Sequence, residues 1–160
     1  MRILLMSILL VAVFVLGGCA NNNTSGQISY DDEQLRSQLE EAFYQPLLPT
    51  KFPFEVEDAS FSPIPTDNDE KVFNFDFIRK DNVVELMTFN GESINDDTKT
   101  EKVKFDETEG EYFESNDKGT TVKHLIWKED GVVYDLSTAN DSESQGISKE
   151  ELIQIAESFK

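Results

Sequence analysis

Cys19 and His124 are the only cysteine and the only histidine in this chain. A thiolate can attack carbonyl centres, bind soft metals or accept an acyl group. An imidazole moves protons near neutral pH when a neighbouring carboxylate orients it, and ligates metals when other donors converge on it. Neither residue lies in a catalytic pattern, because the sequence holds no G-x-S-x-G, H-E-x-x-H, phosphate loop or dinucleotide fingerprint. His124 shares a strand face with Ile126 in the run from Thr121 to Lys128 and reads as a packed or sheet-surface histidine. Asp135 would lie one diagonal step away across a hairpin, enough to orient the ring but not to make a site by itself. Three acidic stretches offer the oxygen ligands that calcium prefers: Asn95-Asp96-Asp97, Asp106-Glu107-Thr108-Glu109 and Asp141-Ser142-Glu143. None follows the spacing of a calcium loop, so they read as solvated loops, with weak calcium binding as the alternative. The expectation is therefore no catalytic residue, no metal and no cofactor.

Cys19 sits in a more specific setting. Met1-Arg2 precedes an apolar run from Ile3 to Leu16, and the run closes on Leu16-Gly17-Gly18-Cys19. A basic start, a short apolar core and small residues at the cut are the parts of an export signal. Ending on cysteine, they resemble the lipobox of bacterial lipoproteins. That resemblance implies cleavage before Cys19, acylation of its sulfur with chains such as palmitate, and retention on the extracytoplasmic face of a cell membrane. A thiol used for attachment is no longer a nucleophile. The alternative, an uncleaved membrane span, fits less well: the apolar run covers about 21 Å as a helix, against roughly 30 Å of hydrocarbon.

Residues 1–18 are thus expected to be a signal peptide, 19–30 a lipidated cysteine and flexible tether, and 31–160 a single domain. With 32 acidic against 14 basic residues, the formal net charge is −18. Such a body repels nucleic acid and anionic headgroups. No cysteine follows Cys19, so no disulfide braces the exported part. Twelve phenylalanines, set in patterned segments, argue against general disorder.

The elements follow from periodicity. Asp31 or Asp32 could cap a helix reaching about Tyr44, with Leu35, Leu39, Ala42 and Phe43 on one face. Pro46 and Pro49 end it and open an extended, core-lining stretch to Phe54. Phe73, Phe75 and Phe77 then alternate with polar residues as a strand. A turn at Asp81-Asn82 would bring Phe77 opposite Leu86 and Phe75 opposite Thr88. Short strands are expected around Val103 to Phe105 and Tyr112 to Phe113. The clearest signal is Asp130-Gly131, a favoured hairpin turn that sets Trp127 across from Tyr134 and Leu125 across from Leu136. Ser148 and Glu151 form a capping box for a last helix, whose stripe is Leu152, Ile155, Ala156 and Phe159. Ile147 and Leu152 make a candidate hydrophobic staple. The structural residues singled out are Trp127, Gly131, Tyr134, Ser148 and Glu151. The fold class is α+β: a mainly antiparallel sheet packed against an N-terminal and a C-terminal helix.

The stretches Ile126 to Leu136 and Ile147 to Ser158, with Pro49 to Phe54, resemble a bacterial domain family of unknown function, DUF4367, over about residues 47–159. The resemblance implies a Gram-positive, exported lipoprotein or membrane-associated protein, and it carries over no catalytic residues. The functional expectation is a membrane-anchored, non-catalytic binding or sensory accessory domain. Its partners would be the membrane, through the lipid on Cys19, and an extracytoplasmic protein or cell-envelope component. An extracytoplasmic hydrolase of undetected type and a weak calcium-binding surface protein are the alternatives.

Overall fold

The computed structural model describes residues 26–66, 71–80, 82–91, 99–117, 119–140 and 146–160. The Leu16-Gly17-Gly18-Cys19 motif, the acidic stretch at residues 95–97 and that at 141–143 lie outside the described residues.

Among the described residues, nine strands and two helices run β1 (Ile28–Ser29), α1 (Glu33–Leu39), β2 (Lys51–Phe52), β3 (Asp58–Ile64), β4 (Val72–Arg79), β5 (Asn82–Phe89), β6 (Glu101–Phe105), β7 (Thr108–Asp117), β8 (Thr120–Glu129), β9 (Val132–Asn140) and α2 (Lys149–Ala156). Seven strands make one antiparallel sheet in the order β3-β4-β5-β9-β8-β7-β6, and β1 pairs with β2 in a small second sheet. The two helices flank the large sheet and cover one of its faces. Their apolar residues Leu35, Leu39, Leu152, Ile155 and Ala156 join Phe75, Phe77, Leu86, Leu125 and Leu136 in one buried core. This is the expected α+β architecture.

The β8–β9 hairpin follows its turn. Asp130 and Gly131 both adopt positive φ, 49° and 81°, the left-handed pair a two-residue hairpin needs. Trp127 then pairs with Tyr134 and Leu125 with Leu136. The Trp127 and Tyr134 rings stack at 4.9 Å, and Phe159 sets its edge against both.

Elsewhere the structure departs from the sequence reading. Helix α1 stops at Leu39, well short of Tyr44. Tyr44 leaves the helical path to stack on Phe73 and to share a hydrogen bond with the buried Thr88 hydroxyl at 2.8 Å. Phe43, placed on the buried stripe by periodicity, is consequently 70% exposed. The β4–β5 turn comes one residue early: Arg79 pairs with Asn82, and Lys80 takes a φ of 46°. Phe77 therefore faces Val84, and Phe75 faces Leu86. The pairing slips by two positions, an even shift that keeps every side chain on its own face. Strand β3 carries no clear strand signal in the sequence, because its Asp, Ser and Pro residues hide the inward alternation of Ala59 and Phe61. It is an edge strand, where Pro63 is tolerated.

Folded structure also starts earlier than residue 31. Ser29 pairs with Lys51 and Ile28 with Phe52, and the Tyr30 amide donates to the Thr50 carbonyl at 2.8 Å. The Tyr30 ring meets Phe52 and Phe77 edge-on. The end of the expected tether is thus built into the domain.

The C-terminal turn is held by the segment before β2. Leu48 and Lys160 exchange backbone hydrogen bonds at 3.2 Å each. The Ser158 hydroxyl accepts from the Thr50 and Lys51 amides at 3.1 Å each. The Leu47 amide donates to the Tyr134 hydroxyl at 3.1 Å, tying this segment to the hairpin.

Candidate functional site

Alternation that sends Phe73, Phe75 and Phe77 into the core sends Asn74 and Asp76 to the sheet face away from the helices. Successive register pairs then carry one row across five strands: Asp76 on β4 faces Glu85 on β5, Glu85 faces Ser137 on β9, Ser137 faces His124 on β8, and His124 faces Phe113 on β7. The adjoining row runs from Asn74 through Met87 and Asp135 to Ile126. Three carboxylates, the one histidine and several apolar side chains thereby share a single surface.

His124 is engaged on two sides. Its Nδ1 lies 3.1 Å from Asp135 Oδ1 and 3.3 Å from Oδ2, the diagonal contact the hairpin register allows. Its ring stacks on Phe113 at 4.6 Å, nearly parallel. Asp135 is only 8% exposed, so the imidazole is the polar partner that replaces much of its lost hydration. At the other end, the Ser60 hydroxyl donates to Asp76 Oδ2 at 3.1 Å, and Asn74 Nδ2 donates to Oδ1 at 3.2 Å. The remaining Asn74 oxygen is buried and has no hydrogen-bond partner among the described residues.

Glu85 lies between these two ends. Loss of hydration pushes its carboxyl up from the ordinary value, Asp76 and Asp135 push it further, and His124 pulls it partly back. Like charges directly opposite one another on neighbouring strands repel, and the Asp76–Glu85 pair is such a contact. Asp76 and Glu85 escape a reading by sequence alone, since their proximity to His124 depends on the order β4-β5-β9-β8. Their only local signal is a polar position within an alternating apolar strand.

What this surface can do chemically follows from its groups. Ser137, His124 and Asp135 share one face, but no hydrogen bond joins Ser137 to His124 among the described residues, and Nδ1 is turned to Asp135. No group of three or more histidine, cysteine, aspartate or glutamate side chains among the described residues is placed to hold a metal ion. Asp106 and Glu107, one of the acidic stretches weighed for calcium, form the turn between β6 and β7, with Asp106 at a φ of 49°. The surface is suited to accepting hydrogen bonds and positive charge.

Two cavities take none of their lining from this face. One of about 150 Å³ lies between Pro53, Phe54, Arg79, Asn82 and Ile147. The other opens beside the start of α2, against Lys123, Ser148, Glu150 and Gln154. That helix start is already occupied: the Glu151 amide donates to Ser148 Oγ at 3.2 Å, and the Ser148 amide donates back to the Glu151 carboxylate at 2.8 Å. Among the described residues, no helix is long and apolar enough to cross a membrane.

No curated protein and no solved structure matches the chain. The family described as Domain of unknown function (DUF4367) matches residues 46–159, from the proline-led segment before β2 through the sheet to the end of the α2 region. That match covers most of the sequence, and the chain belongs to the DUF4367 family.

Proposed function

We propose that this chain is a lipid-anchored extracytoplasmic protein whose DUF4367 domain binds a partner at the cell surface and does not turn over a substrate. The observation that carries this reading is the apolar run from Ile3 to Leu16 closing on Leu16-Gly17-Gly18-Cys19. With β1 starting at Ile28, the chain between Cys19 and the domain reaches at most about 30 Å when fully extended. A lipid on Cys19 would therefore keep the sheet close to the membrane surface. Support for binding over catalysis comes from His124, whose Nδ1 and ring face are taken up by Asp135 and Phe113.

Fatty-acid labelling of cells expressing the full chain or Cys19→Ala tests the anchor, and capture of partners from the same intact cells tests the binding role. The expected result is label and partner with the native chain and neither with Cys19→Ala. Equal labelling of both chains would defeat the anchor. Substrate turnover abolished by His124→Ala would replace the binding reading with hydrolysis.

A further inference from the structure

We infer that the sheet face around Asp76 and Glu85 is a docking surface for a basic polypeptide segment, whose lysine or arginine side chains pair with these carboxylates. The inference rests on the binding reading above and deepens it by naming the surface and the chemistry of the partner. Three observations support it. First, Asp76 and Glu85 stand directly opposite one another across β4 and β5, with Asp135 on the next strand, and His124 is the one partly basic group in the row. The outward positions of β3, β4, β5 and β9 carry no lysine or arginine, whereas Lys102, Lys104 and Lys128 stand farther across on β6 and β8. Second, the Asn74 oxygen beside Asp76 is buried and has no hydrogen-bond partner among the described residues. Third, Asp58, Ser60, Ser62 and Glu85 are exposed, so the part of the face nearest edge strand β3 is reachable.

The shape of the site selects the kind of cation. A metal ion needs several ligands converging on one point, and no such group exists among the described residues. Here the carboxylates sit on successive strands, spaced about 4.8 Å apart. That spacing distributes negative charge along a line, which suits several side chains of one extended segment. Met87 and Ile126, interleaved with the acids, give apolar side chains of the same segment a place to rest. The overall charge of −18 would draw such a partner in from a distance.

The probe is a synthetic peptide of alternating lysine and valine, titrated into the full chain held in detergent micelles and followed by fluorescence anisotropy. A glutamate–valine peptide serves as the opposite-charge control. Because so acidic a protein attracts cations everywhere, position decides the result. The double variant Asp76→Asn with Glu85→Gln should weaken binding about tenfold. Glu40→Gln with Glu41→Gln, which removes equal charge from exposed positions next to α1, should weaken it less than about twofold. Equal losses from the two doubles would overturn the inference, as would the absence of saturable binding. Circular dichroism and urea midpoints confirm that each variant is folded. A cellular partner captured through Cys19 whose binding ignores Asp76 and Glu85 would overturn this assignment while leaving the anchored-binding reading intact.

Discussion

Glu85 faces Asp76 across one strand pair, with Asp135 on the strand beyond. Its folded-state carboxyl is raised above the ordinary value, so the native state holds this proton more tightly than the unfolded chain. Stability therefore falls as pH rises through the titration of Glu85, and the penalty persists at neutral pH. Glu85→Gln should raise the urea midpoint at pH 7, by a few tenths to about 1 kcal/mol. The gain should fade towards about pH 4, where the carboxyl is largely protonated in either state. A gain of equal size at both pH values would show that repulsion is not its source. Gly131 is a simpler case. At a φ of 81°, a β-branched side chain is strained, so Gly131→Val should lower unfolding free energy by roughly 1–3 kcal/mol, with Gly131→Asn closer to native. Chemical denaturation of the two variants checks the order. The His124–Asp135 contact was legible from the sequence because the Asp130-Gly131 turn sets its register. The Asp76–Glu85 pair was not, since the chain carries no local mark of which strand β5 will meet on its far side.

Among the elements, those with their own punctuation could be read directly. Ser148 starts α2 with a reciprocal pair of hydrogen bonds to Glu151, and Ile147 and Leu152 are both buried beside it. Ser148→Ala should cost about 1 kcal/mol, observed as a lower thermal midpoint together with faster amide exchange in the first turn of the helix. An unchanged midpoint would mean that tertiary packing alone holds the helix start. Elements whose boundaries depend on distant partners were harder to read. Helix α1 ends where Tyr44 is drawn to Phe73 and Thr88, contacts that no local propensity encodes. Strand β7 runs through Gly110, where an added Cβ would come 3.0 Å from the Ile126 carbonyl oxygen and 3.0 Å from the Phe105 ring. Glycine fits this position because two neighbouring strands crowd it.

For the molecule as a whole, charge and connectivity matter more than any one contact. A net charge of −18, with every charged side chain but Arg2 inside residues 31–160, means mutual repulsion in the native state. Added sodium chloride should raise the thermal midpoint over the range in which the Debye length shrinks from about 30 Å to about 8 Å. A midpoint indifferent to salt would place the acids too far apart to repel. The fold class could be read from the sequence because alternation, two helical stripes and one strong turn all agreed. The junction between tether and domain could not, since Ile28 and Tyr30 are isolated apolar residues in polar surroundings. That junction has a mechanical consequence. If the leading chain is fixed at Cys19, any drag on the protein is transmitted into Ile28–Ser29 and Tyr30 before it reaches the large sheet. Among the described residues, two residue pairs, the Tyr30–Thr50 backbone hydrogen bond and one ring set against Phe52 and Phe77 resist it. Under load this corner would yield first, lengthening the leash and baring an aromatic patch while the seven-stranded sheet stays whole.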